Sequence, residues 1–130
     1  MQLDLASGLN LEPSILPQAA TGDVTGSAID TKEANSACVF GFMDTAAGGT
    51  FKVQEATASG GTYTDVPDAQ CIQGDDTREN EKAGVAGDLV KIGVINTKRY
   101  LRLVFTHSAD GDVSGGIILG NNLVTPTETN

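Results

Sequence analysis

The sequence is poor in the side chains that most often carry catalysis or bind metals and nucleic acids. Its 130 residues include no tryptophan, one histidine and two cysteines, and 17 acidic side chains outnumber 8 basic ones, for a formal net charge of −9. Two cysteines and one histidine cannot fill the four positions of a Cys/His zinc site. The acidic balance argues against a nucleic-acid binder, because such proteins draw most of their affinity from Lys and Arg side chains that neutralise phosphates.

Long apolar runs are also missing. The longest, Ala37 to Met43, is interrupted by Gly41, whereas a membrane-spanning helix needs about 20 apolar residues. Met1 to Leu5 lack the basic start and apolar stretch of a signal peptide. We therefore expect a protein that neither spans nor binds a membrane and that is made in a reducing cytoplasm, where Cys38 and Cys71 are free thiols rather than a disulfide.

No motif singles out a catalytic or metal centre. His107 is the single histidine, no serine lies in a Gly-x-Ser-x-Gly elbow, and there is no Gly-rich phosphate loop. Asp75-Asp76 and Asp110-Gly111-Asp112 offer oxygen ligands of the kind that Ca²⁺ uses, but neither follows the spaced calcium-loop pattern, and both consist of ordinary turn formers. We expect no enzymatic activity, no cofactor and no metal.

What the sequence does contain is a succession of short strand patterns separated by turn residues. Phe51 and Val53 alternate with polar neighbours, as on a strand with one buried face, and residues 36–43 are apolar nearly throughout, as on a strand buried on both faces. About seven to eight short strands and no convincing long helix predict an all-β fold. We expect a single-domain antiparallel β-sandwich, jelly-roll or immunoglobulin-like, over residues 25–124, with a flexible C-terminal tail at residues 125–130.

Residues 1–24 predict an extended N-terminal arm. Pro13 and Pro17 exclude a helix interior and favour extended backbone. The arm carries apolar side chains that could cover either their own domain or a neighbouring one, and these are candidate partner contacts: Leu3, Leu5, Leu9, Leu11, Ile15 and Leu16.

Half of the basic residues fall within twelve positions, at Lys91, Lys98, Arg99 and Arg102. One interpretation is a solvated strand face whose cations pair with the chain's own carboxylates. The other is a docking patch for an acidic partner surface, because arginine is enriched at interfaces and its planar guanidinium suits carboxylates. The sequence leaves both open.

Three motifs follow one another in a recognisable order. They are Ala28-Ile29-Asp30-Thr31, then Lys52-Val53-Gln54-Glu55 with Tyr63-Thr64-Asp65-Val66, and finally Lys98-Arg99-Tyr100-Leu101-Arg102. This order resembles a family of small virion proteins of tailed bacteriophages, often encoded beside the major capsid protein, with an A-x-D opening, a K-x-Q-E and [FY]-x-D-V centre, and a K-R-Y-[IVL]-R close. Residues 56–59 depart from the family's acidic turn, and Val94 replaces its usual tyrosine.

The resemblance implies a β-sandwich structural protein of the phage head without catalytic residues, most commonly a decoration, or cement, protein. We accordingly expect a protein of the virion, on the capsid exterior, whose partners are the major capsid protein and its own copies, with a trimer favoured and a dimer possible. The expected contacts are the apolar side chains of the arm and the basic edge Lys98, Arg99, Tyr100 and Arg102. Two alternatives stay open: a head-fibre or carbohydrate-binding module for the host surface, and a head–tail connector or tail component.

Overall fold

Two antiparallel β-sheets packed face to face make up the fold in the computed structural model, which describes residues 9–32, 34, 36–74, 77–95 and 97–120. The strands are β1 (Leu9–Ala20), β2 (Val24–Thr25), β3 (Ile29–Asp30), β4 (Ser36–Met43), β5 (Gly48–Ala56), β6 (Thr64–Asp65), β7 (Cys71–Ile72), β8 (Glu81–Ala83), β9 (Asp88–Val94), β10 (Tyr100–Ala109) and β11 (Gly111–Gly120), with a 3₁₀ turn at Asp68–Gln70. The predicted all-β sandwich is confirmed.

Five strands form one sheet and six form the other. One sheet has the order β1-β11-β4-β9-β7, and the other has the order β2-β10-β5-β6 with β3 also paired to β10 and β8 also paired to β5. Because β2 and β3 share one side of β10, and β6 and β8 share one side of β5, the eleven segments fill nine strand positions. The structure therefore has more strand segments than the seven to eight that the sequence predicts.

The core lies between the sheets and is built from the alternating side chains of the long strands. Leu101, Leu103 and Phe105 share the inward face of β10, as their spacing predicts, and none of them is exposed. The rings of Phe51 and Phe105 meet at the centre of the core with 5.1 Å between their centroids. Such tilted aromatic pairs contribute beyond the apolar area that they bury.

The N-terminal segment that the sequence predicts as an extended arm is part of the sandwich from residue 9 onward. Residues 9–20 form the edge strand β1, which pairs along its length with β11 through two register shifts. Ile15 is buried in the core, and buried Ser14 joins the two sheets, because its hydroxyl accepts the Leu103 N–H at 3.0 Å and donates to the Ser27 carbonyl at 2.8 Å. Prolines and bulges are typical of edge strands, because both limit pairing with another chain.

The acidic stretch between β6 and β9 is tied to both sheets where it is described. It supplies β7 to the edge of the five-stranded sheet and β8 to the side of β5. Buried Gln73 donates to the carbonyls of Glu79 and Glu81, and the Asn80 amide donates to the Val66 carbonyl. These bonds satisfy backbone groups that the short strands leave unpaired.

Two further observations concern the described ranges alone. They include no helix long and apolar enough to cross a membrane. They also include no group of three or more His, Cys, Asp or Glu side chains positioned to hold a metal ion.

Candidate docking surfaces

The basic segment predicted as a docking patch does not form one surface. Lys91 projects from the outer side of the five-stranded sheet, whereas Tyr100 and Arg102 project from the outer side of the six-stranded sheet. Lys98 and Arg99 lie in the turn before β10. The sequence places these cations close together, but the two sheets separate them.

Arg99 is held by an ion pair to Asp30. Its Nε and Nη2 donate to the two carboxylate oxygens at 3.0 and 2.8 Å, and its guanidinium lies 5.2 Å from the centroid of the Tyr100 ring. The hydrogen bond from Arg99 lowers the pKa of the Asp30 carboxyl from 3.8 to about 2. Thr31 also binds Arg99, because its N–H and its hydroxyl both donate to the Arg99 carbonyl.

Arg102 is held on the outer side of the six-stranded sheet. Its Nε and Nη2 donate to the Gln54 side-chain oxygen at 2.9 and 2.8 Å, and its guanidinium stacks 4.1 Å from the centroid of Tyr63. The Gln54 amide donates to Asp65 at 3.0 Å, and the Lys52 ammonium meets the same carboxylate at 3.2 Å. The Gln54 hydrogen bond, followed by the Lys52 contact, lowers the pKa of the Asp65 carboxyl.

These contacts explain the residues on which the phage-family resemblance rests. Asp30 of the opening motif pairs with Arg99 of the closing motif, and Gln54 of the central motif binds Arg102. Glu55, which is only 5% exposed, accepts the Lys98 N–H at 2.9 Å. The motif residues join strands of one sheet to one another. Within the basic segment, Arg99 pairs with a carboxylate of the chain, as the first interpretation expects, whereas Arg102 binds the side-chain oxygen of Gln54.

The outer side of the five-stranded sheet is different in character. Paired residues on antiparallel strands share a face, and one row of such residues crosses all five strands: Leu11, Ile118, Cys38, Gly93 and Ile72. The next two rows run Pro13, Gly116, Phe40 and Lys91, then Ser114, Phe42 and Leu89. We call these three rows the apolar face.

The apolar face is open to solvent. Leu11 is 61% exposed, Leu89 59% and Phe42 37%. The expectation that residues 36–43 are buried on both faces is wrong, because the opposing sheet covers only one side of β4 and none of the described residues covers the other. Phe40 stands between two hollows on this side, one of about 510 Å³ and one of about 280 Å³, which share Phe40 and Leu11 as lining.

The two cysteines lie on opposite sides of the five-stranded sheet. Cys38 lines the larger hollow of the apolar face, whereas Cys71, paired with Val94, is buried in the core. Both are free thiols, and this arrangement separates them. Burial raises the pKa of the Cys71 thiol to about 11 and also raises the pKa of the Cys38 thiol, against the lowering influence of nearby Lys91.

The remaining predicted contact residues have mixed positions. Leu3 and Leu5 lie outside the described residues, and of Leu9 only the backbone is described, paired with Gly120 in β1. Ile15 is a core residue, whereas Leu16 is 62% exposed on β1. The predicted tail, residues 125–130, also lies outside the described ranges.

Sequence reasoning missed the apolar face as a surface. Its signal was present in the alternation of residues 36–43, where Cys38, Phe40 and Phe42 fall on one side and Val39, Gly41 and Met43 on the other. Both sides are apolar, so the pattern alone did not distinguish a covered face from an exposed one.

The structure defines a two-sheet antiparallel β-sandwich with one apolar side that no described residue covers. No protein-family model matches the chain, and no curated protein matches its sequence. Among solved structures, the chain is similar to the SPBc2 prophage-derived protein YomS, with a TM-score of 0.54 and 13% identity over 85% of this chain and 93% of that one. At this identity the likeness shows a shared fold.

A second similarity is weaker. It is to a structure of Bacillus endospore appendages, described as disulfide-linked pili, with a TM-score of 0.33 and 12% identity over 85% of this chain and 92% of that one. A score this low supports no argument about the present chain.

Proposed function

We propose that this chain is a non-enzymatic structural protein of a tailed-phage virion, which decorates the exterior of the assembled capsid and stabilises contacts between major capsid subunits. The motif order that resembles phage decoration proteins supports the proposal, and so does the fold that the chain shares with a prophage-derived protein. The observation that carries it is the apolar face, which leaves one side of an otherwise acidic sandwich open for attachment.

The apolar face is suited to attachment to a larger assembly. Contiguous exposed apolar patches are uncommon on monomeric soluble proteins and mark interaction sites. Individual contacts can be modest, because many copies bound on one lattice reinforce each other when each copy bridges subunits. The net charge of −9 then keeps the outward surface of the decorated particle soluble.

The alternatives have less support. A carbohydrate-binding module would present aromatic rings together with polar groups that bind sugar hydroxyls. Arg102 already stacks on Tyr63, the rings of Phe51 and Phe105 are buried, and the exposed Phe42 lies on a face that offers few polar side chains. A head–tail connector or tail component shares the structural character of the proposal and differs in its location on the particle.

Cryo-electron microscopy of the intact phage particle tests the proposal. Density for the sandwich over the whole shell, in contact with several capsid subunits, is the expected result, and the same map gives the number of copies at each site. Density confined to one vertex, to the tail or to fibres would contradict capsid decoration.

A further inference from the structure

We propose that the apolar face binds an apolar segment of the capsid protein that carries an Asp or Glu side chain opposite Lys91. This inference rests on the proposed function and specifies the partner chemistry of its docking surface. Three features of the face carry it: its charge, its area and its shape.

The charge of the face selects a carboxylate. Lys91 is the only charged side chain in the three rows that define the face. The described ion pairs engage Lys52, Arg99 and His107, and none of them involves Lys91. Asp112 continues the outer side of β11 beyond Ser114, but it makes no ion pair with Lys91. Lys91 is bordered by Phe40 and Leu89, so a partner that covers the face removes its ammonium from water, and a partner carboxylate offsets the cost of leaving that cation unpaired.

The area of the face suits a segment better than a second copy of this chain. The twelve positions of the three rows, spaced about 4.8 Å across the strands and about 6.8 Å along them, cover on the order of 400 Å². A stable interface between globular proteins buries about 800 Å² on each partner. In a two-fold pairing through this face, each copy would contribute the same surface. The pairing would then bring two Lys91 cations, and no carboxylate from the three rows, into one apolar contact.

The shape of the face gives apolar side chains places to enter. The two hollows on either side of Phe40 share Leu11 as a wall, and Lys91 lies at the rim of the larger one. Hollows of several hundred cubic ångströms that are lined mostly by apolar side chains, with a few polar groups to fix orientation, are typical of binding sites. Lys91 is such a group at the larger hollow, and Glu12 and Ser114 line the smaller one. A segment with two apolar anchors and an acidic residue fits this arrangement.

Binding of purified variants to capsids assembled without this chain tests the inference. Leu89→Ser removes an exposed apolar contact and Lys91→Glu reverses the charge, and each is expected to weaken binding about tenfold or more. The matched controls are Val85→Ser, at a position 50% exposed outside the face, and Lys32→Glu, at an exposed lysine in the turn after β3. Both controls are expected to bind as the unaltered chain does. Thermal unfolding of each variant verifies that the fold is intact.

Photo-crosslinking identifies the occupant. A photoreactive phenylalanine that replaces Leu89 in an otherwise unaltered chain is expected to capture a capsid-protein segment that contains Asp or Glu. Mass spectrometry identifies the captured segment. Capture of a second copy of this chain, or of a segment without a carboxylate, would overturn the inference. So would full capsid binding by Leu89→Ser and Lys91→Glu, which would leave the proposed decoration function standing. Failure of the unaltered chain to bind capsids would overturn both.

Discussion

At the scale of single residues, the polar side chains of the three motifs act on one another. Asp30, Gln54 and Asp65 each bind a cation or an amide of the same sheet, and Glu55 accepts a backbone N–H from the turn before β10. Exposed ion pairs contribute little to stability, but these pairs fix the positions of side chains. Their arrangement gives the motif residues a structural role within the chain itself.

The Asp30–Arg99 pair predicts a specific acid dependence. The ionised carboxylate stabilises the fold because the pKa of Asp30 is lowered from 3.8 to about 2. This contribution is fully present above about pH 4 and is lost as the pH falls towards 2. Asp30→Asn should therefore lower the melting temperature slightly at pH 6 and flatten its decline between pH 4 and 2, measured by circular dichroism. If the melting temperatures of Asp30→Asn and of the unaltered chain fell by the same amount between pH 4 and 2, the assignment would be contradicted.

At the scale of elements, the main difference between sequence and structure concerns β1. Pro13 and Pro17 correctly predicted extended backbone, but extended backbone is compatible with both a free arm and an edge strand. The segment is a strand because it pairs with β11 over a long sequence distance and because Ser14 and Ile15 are buried. Such long-range contacts cannot be read from a local sequence pattern. Deletion of residues 1–8 tests the role of Leu3 and Leu5 as partner contacts, because it leaves β1 in place.

The role of Ser14 as a bridge between the sheets can be tested directly. Ser14→Ala leaves the buried Leu103 N–H without its acceptor, and we expect a loss of about 1–3 kcal/mol in the free energy of unfolding. Urea denaturation measures this loss. Ser27→Ala is the matched control, because only the carbonyl of Ser27 takes part in the bridge, and its effect should stay within about 0.5 kcal/mol. Equal effects of the two substitutions would contradict the bridging role.

The strand patterns of the sheets were predictable to different degrees. Leu101, Leu103 and Phe105 alternate with Tyr100, Arg102 and Val104, so their spacing alone places the three on one face of β10, and the structure shows that this face is buried. In β4 both faces are apolar, and whether a second layer covers the outer one depends on the whole architecture. The two-residue strands β2, β3, β6 and β7 lie below the length at which alternation carries information.

At the scale of the whole molecule, the two outer sides of the sandwich differ in character. The six-stranded sheet closes its outer side with ion pairs, an arginine–tyrosine stack and side-chain amides, whereas the five-stranded sheet exposes the apolar face. Composition alone could not show this asymmetry, because a net charge of −9 gives no information about how charged groups are divided between the two outer sides. The side chains of the candidate docking surface are brought together only by the register of β1, β11, β4 and β9.

The most direct test of the central claim, that the apolar face is the attachment surface, uses the chain's own thiols. Cys38 lines the face and Cys71 is buried, so alkylation with iodoacetamide at pH 8.5 should modify Cys38 in the native chain and spare Cys71, although the raised pKa of Cys38 makes the reaction slow. Mass spectrometry of decorated capsids should then show Cys38 protected about tenfold or more relative to the free chain. Alkylation of Cys38 at the same rate on decorated capsids and in the free chain would contradict the account.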